Sequence, residues 1–220
     1  MYMTIVRRAG ALLLAMGVID AIVTFMSAGV GGWYAAGFEA AAIVAGLLLL
    51  HGHPRSAFWL RALAVFLLAA GLTGAVVALL LQPLDLTMLE IRLDPGDFAT
   101  KAAQPAFALG VLAWVAHELK RRPVVDAIAS ARLRQWDTRL FARGGIAVAA
   151  MAGILLWLAL HGQSASLAES LAEQQMGPGY RYHLSWISSS HTDQGTSTNG
   201  VVTAWNDHEI KTLLIHWLTR

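Results

Sequence analysis

The chain has 220 residues, 56% of them hydrophobic and 14% charged, with a mean hydropathy of +0.54, too apolar for a soluble domain of ordinary size. The formal net charge is +2, with the basic residues concentrated in one segment rather than spread in a stripe with aromatics, so nucleic acid is not an expected partner. Absence of cysteine excludes disulfides, thiolate metal sites and thiol redox switches.

Arg7 and Arg8 precede an apolar run from about residue 9 to 29, long enough to cross roughly 30 Å of hydrocarbon. The alternative is a signal peptide, but Asp20 and the length of the run favour a first span. Gly31, Gly32, Trp33 and Tyr34 form a tight connection with two aromatics at headgroup height, and a second span follows over about 35–50. His51 to Arg61 holds breaker residues and two arginines, a cytoplasmic turn by the positive-inside rule.

The third span, about 58–81, carries Ala70, Gly71, Gly74 and Ala75, small residues that admit a neighbouring helix. From Pro83 to Lys101 acids outnumber bases, which places this loop outside. Its segment Leu84 to Leu93 reads as a short interfacial or lid-like piece, and Asp94, Pro95 and Gly96 mark a turn. A fourth span, about 104–119, has Pro105 in its first turn. Lys120 to Arg143 then carries seven basic residues against Asp126 and Asp137, so it faces the cytoplasm. Within it an amphipathic helix over about 124–142 lies in the interface, anchored by Trp136, with Arg132 and Arg139 snorkelling from its apolar side.

The fifth span, about 146–160, is free of charge and delivers the chain outside. Ser166 to Glu169 forms a capping-box pattern that opens a helix to about Met176, stopped by Gly177, Pro178 and Gly179. Tyr182, Leu184 and Trp186 alternate with Arg181, His183 and Ser185, the period of a strand with one buried face. Ser188 to Gly200, a polar stretch, reads as a long hairpin loop or a partly disordered segment. Val201 to Trp205 and Glu209 to Trp217 complete a three-stranded meander.

The expected fold is therefore mostly α: a five-span helical bundle over 1–162, followed by a small periplasmic α+β domain, one helix and a three-stranded antiparallel meander, over 163–220. Under 60 residues with no staple, this domain is marginal alone and is expected to dock on the outer loop or on a partner. From Ile146 to Arg220 the order of one span, one helix and a small sheet is similar to that of the cytochrome oxidase assembly factors, a likeness of element order without a shared motif.

Asp20 and Glu39 are the candidate intramembrane site, since an ionisable group within a span is costly and functional by default. Asp20 lies eleven residues after Ala9 and Glu39 twelve before His51, which puts both roughly 16 to 18 Å from the cytoplasmic boundary. Two carboxylates at one level can share a proton or hold a cation. Alternatively, Ser, Thr or backbone groups satisfy them, or Glu39 reaches the outer headgroups. His183, His191, His208 and His216 lack ligand spacing, and His117 with Glu118 reads as an interface pair. No nucleophile elbow or phosphate loop is present. Catalytic residues, metals and cofactors are expected to be none. The expected function is a non-enzymatic bacterial inner-membrane protein, N-terminus cytoplasmic, presenting its periplasmic domain to an envelope partner or a further copy of itself. The alternative is an ion- or proton-coupled transporter subunit using Asp20 and Glu39.

Overall fold

A computed structural model describes residues 2–27, 36–131, 137–192 and 195–219. Among the described residues it contains eight helices and one three-stranded antiparallel sheet. The helices are α1 (Tyr2–Ser27), α2 (Ala36–Leu50), α3 (Pro54–Leu81), α4 (Leu84–Leu93), α5 (Pro95–Glu118), α6 (Arg122–Ser130), α7 (Thr138–Leu160) and α8 (Gln163–Met176). The strands are β1 (Arg181–Thr192), β2 (Gly195–Trp205) and β3 (Ile210–Thr219), in that spatial order. Three helical stretches among the described residues, Tyr2–Ile19, Pro54–Leu81 and Thr138–Leu160, are long and apolar enough to cross a membrane. The helix α2 is apolar but has 15 residues.

The chain divides into two compact units, residues 1–72 with 106–147, and residues 73–105 with 148–220. In the first, α1 and α2 lie against each other with almost no room between them. A Cβ on Gly46 would come within 2.7 Å of the Leu14 amide nitrogen and 2.8 Å of the Gly10 carbonyl oxygen, so glycine at this position is what permits the approach. At one end of this pair Ile5, Val6, Leu49, Leu60, Leu119, Val124 and Ile128 form a buried cluster. There the Tyr2 hydroxyl donates to the Gly52 carbonyl at 3.0 Å. Glu118, buried at the end of α5, pairs with Arg121 at 2.6 Å.

In the second unit α8 packs across all three strands. Ala165, Ala168 and Ala172 face Leu184, Val202, Ile215 and Trp217 in its core. The small alanine face lets the helix sit low on the sheet, which gives these few residues a dense layer. A separate cluster joins Leu86 and Leu89 of α4 to Trp205 and, at its rim, Ile210.

Several boundaries differ from expectation, each for a local reason. The helix α5 begins at Pro95, about nine residues early, because Asp94 Oδ1 accepts the Asp97 amide at 2.8 Å and Pro95 takes the first helical position, where it has no amide to lose. Pro105 is therefore inside α5, not in its first turn. The helix α6 ends at Ser130, and α7 starts at Thr138, where the Asp137 carboxylate accepts the Arg139 amide at 2.9 Å. Arg139 and Leu140 thus belong to α7, while Arg132 and Trp136 lie outside the described residues. Gly162, not Ser166, stands at the N-cap of α8, and the Ser166 hydroxyl donates back to Gln163 O at 2.9 Å within the helix. Ser188 to Thr192 and Gly195 to Gly200 are strand, not loop. Ser188 pairs with Asn199 and Thr192 with Gly195, leaving residues 193–194 to connect β1 and β2, outside the described residues.

The largest difference concerns Trp186. The register of β1 on β2 shifts between Leu184 and Trp186, so Ser185 is an extra residue and the alternation of faces inverts beyond it. Leu184 is wholly buried, Ile187 joins its core, and Trp186 is 52% exposed. Tyr182 and Leu184 share the covered face as expected; Trp186 does not, and His183 is half-buried.

Candidate functional site

The two acids of the expected intramembrane site fall on paired helices, Asp20 in α1 and Glu39 in α2; both side chains lie outside the described residues. No group of three or more His, Asp or Glu side chains among the described residues is arranged to hold a metal ion. His208 is exposed, His191 lies outside the described side chains, and His216 shares a hydrogen bond with Ser197 Oγ at 2.9 Å.

His183 faces a more enclosed setting. Burial, with the charge on His161 adding to it, holds its pKa below the usual value, so its neutral form is favoured. Burial also pushes the Glu169 carboxyl up, opposed by a backbone hydrogen bond from Leu184 and by His161. These groups sit where the first half of α8, and His161 just before it, meet β1.

The polar junction of the second unit is the contact of α4 with the sheet. Asp85 receives the Arg181 guanidinium and, at 3.3 Å, the indole N–H of Trp205. The Arg181 hydrogen bond is the main cause that holds the Asp85 carboxyl below the ordinary range, with Trp205 contributing. A cavity of about 350 Å³ opens beside this pair, lined also by Arg92, Asn206 and Asp207. Its charges balance locally, so it ties α4 to the strand ends and presents no strong field of one sign. Nearby, Tyr180 donates to Glu209, and Lys211 Nζ bonds the Tyr180 oxygen at 3.0 Å while lying 5.2 Å from the ring centre.

The face of the sheet turned away from α8 has a different character. Trp186 stands opposite Val201, and Val201 opposite Leu214, so the three side chains form one row across the strands. Leu214 is 82% exposed, and Leu218, two positions along the same face, is also exposed. Ser185 bonds Thr203 at 2.7 Å, and the Ser197 and His216 pair completes a polar border on this face. The face therefore has an apolar centre rimmed by hydroxyls and an imidazole. Isolated exposed leucines need no explanation, but a contiguous cross-strand row does.

Each strand announces this row by an apolar doublet: Trp186 with Ile187, Val201 with Val202, Leu213 with Leu214. A strand covered on one face needs one apolar residue in two, so one member of each doublet must point outward: Trp186, Val201 and Leu214. The Asp85 to Arg181 pair, 96 residues apart, has no comparable signal. No protein-family model, curated protein or solved structure matches the chain.

Proposed function

We propose that this chain is a non-enzymatic five-span protein of the bacterial inner membrane that holds a small α+β module on the periplasmic side, where the open face of its sheet binds a protein partner in assembly, sensing or scaffolding. The observation that carries the reading is the outward row Trp186, Val201 and Leu214, whose two end members are exposed and whose middle one is half-buried. A few central anchors, tryptophan prominent among them, supply most of the energy in protein recognition, and Trp186 is the anchor this row offers.

Five spans are supported by parity. The Asp85 to Arg181 pair and the Leu86, Leu89 and Trp205 cluster hold α4 beside the tail, so both belong on one side of the membrane. Only α5, α6 and α7 separate them before α8, and α6 has nine residues. If α7 crosses, α5 crosses as well. Its 24 residues extend about 36 Å, and the charges in its first turns, Asp97 and Lys101, pair with each other at 2.6 Å. Similarly, the Tyr2 to Gly52 hydrogen bond holds the start of α1 beside the end of α2, so a crossing by α1 requires a return by α2. The distribution of basic residues supports the direction. Arg7, Arg8, Arg55, Arg61, Lys120, Arg121 and Arg122 gather at the ends that this scheme puts inside, which leaves α4 and the tail outside.

The test is a photoactivatable residue placed at Leu214 or, on the outer surface of α8, at Gln174. In cells, a discrete adduct from Leu214 that disappears with Trp186→Asp, and none from Gln174, is the expected result. Equal adducts from both positions, or none from Leu214, would remove the reason for assigning recognition to the open face.

A further inference from the structure

Between α1 and α5, within the first unit, runs an apolar trough of about 820 Å³. Small residues line it, Ala11 on α1 and Ala106 and Gly110 on α5, together with the aromatic rings of Phe107 and Trp114. A Cβ on Gly110 would meet no atom within 4 Å, so the glycine leaves the channel open instead of admitting a neighbouring helix. From Ala106 to Trp114 the trough extends roughly 12 Å at about 1.5 Å per residue.

The trough is not uniformly apolar, since Arg8 lines it. Ile5, Val6 and Ala9 of α1 pack with Val115 and Leu119 at the end of α5, which puts Arg8 at the Trp114 end. Among the described residues Arg8 has no ion pair or hydrogen bond. A guanidinium with no counter-ion among the described residues, lining the same apolar trough as an indole, matches a ligand having one anionic group and one long hydrocarbon chain. Basic pockets between spans on the cytoplasmic side bind anionic lipid headgroups.

We propose that this trough is a binding site for one anionic phospholipid, its phosphate on Arg8 and one acyl chain laid along Ala11, Gly110 and Ala106. Arg8 supplies the headgroup preference, and the absence of a side chain at Gly110 supplies the space. Trp114 fixes the depth at which the ester region sits, as indoles do at membrane interfaces. The site is separate from the open sheet face and stands or falls independently of it.

The test uses the full chain in mild detergent, mixed with equal amounts of phosphatidylglycerol and phosphatidylcholine of the same chain length, with native mass spectrometry counting retained lipids. One phosphatidylglycerol is expected to be retained with about fivefold preference, the size of effect one basic residue gives near an anionic surface. Arg8→Gln should abolish the preference while some lipid remains, and Gly110→Leu should reduce retention of both lipids. Arg7→Gln and Gly74→Leu are the controls; a Cβ on Gly74 also meets open space, so neither control should change the pattern. Equal retention of the two lipids by the unmodified chain, a preference that survives Arg8→Gln, or undiminished binding in Gly110→Leu overturns the proposal. So does a dimer lost on Gly110→Leu, which would make the trough an interface between copies.

Discussion

The bulge at Ser185 makes a sharp prediction about two neighbouring side chains. Leu184 is wholly buried, and a Cβ on Gly200 would stand 3.0 Å from its Cδ1, so the β2 backbone is already close and cannot move in to fill a cavity. Leu184→Ala should therefore cost about 3 to 5 kcal/mol, toward the upper end for such truncations. Trp186 is the larger side chain but is half exposed; with about half of a full burial term, Trp186→Ala should cost about 1 kcal/mol. A strict alternation without the bulge would give the opposite order. Urea-dependent proteolysis of the tail, on the full chain in detergent, reads both. With a slope of about 2 kcal/mol per molar for a small domain, Leu184→Ala should lower the midpoint by more than about 1 M and Trp186→Ala by about half that or less. If Trp186→Ala destabilises as much as Leu184→Ala, the inverted register is wrong.

His183 has a lowered pKa in the folded tail, so the unfolded chain binds more protons between that value and about 6.5, and stability must rise with pH across this window. The tail should lose stability as pH falls below about 6.5 toward the folded value, and His183→Gln should flatten that part of the profile, read by the same proteolysis. Asp85, lowered by Arg181, stabilises the α4 contact fully above about pH 3.9 and loses that contribution as pH falls through its folded pKa. A spin label on Met88→Cys, the only cysteine in such a chain, should stay immobilised at pH 5 and loosen only below about pH 4, whereas with Asp85→Asn its mobility should not change over that range. At the α1 and α2 crossing, Gly46→Val should cost about 1 to 3 kcal/mol through overpacking and lower the thermal midpoint in detergent, while Gly74→Ala, with open space around it, should leave it unchanged or raise it.

Much of the fold was legible because hydrophobic period and turn chemistry are local. The long apolar runs became α1, α3 and α7, and Gly177 ends α8 with a positive φ of 86°. What failed were features decided across the sheet. One residue added at Ser185 turns Trp186 outward although the pattern up to Leu184 is regular, and serine and threonine extend β1 and β2 because they pair with each other, as in Ser190 with Ser197, not because either segment has a buried period. Charge placement misled at the fourth span. Asp97 and Lys101 read as loop residues, yet at a spacing of four they pair on the first turns of α5. The doublets that mark the open face were in plain view, but only the register aligns Trp186, Val201 and Leu214 into one surface.

The account turns on α4 and the tail lying on one side of the membrane, away from the basic segment. Because the chain has no cysteine, single replacements at Met88, Leu214 and Asp126 can be labelled in intact spheroplasts with a maleimide that does not cross membranes. Met88→Cys and Leu214→Cys should react without permeabilisation, and Asp126→Cys only after it. Labelling of Leu214→Cys from outside with Met88→Cys protected until permeabilisation would contradict both the five-span parity and the docking of α4 on the sheet.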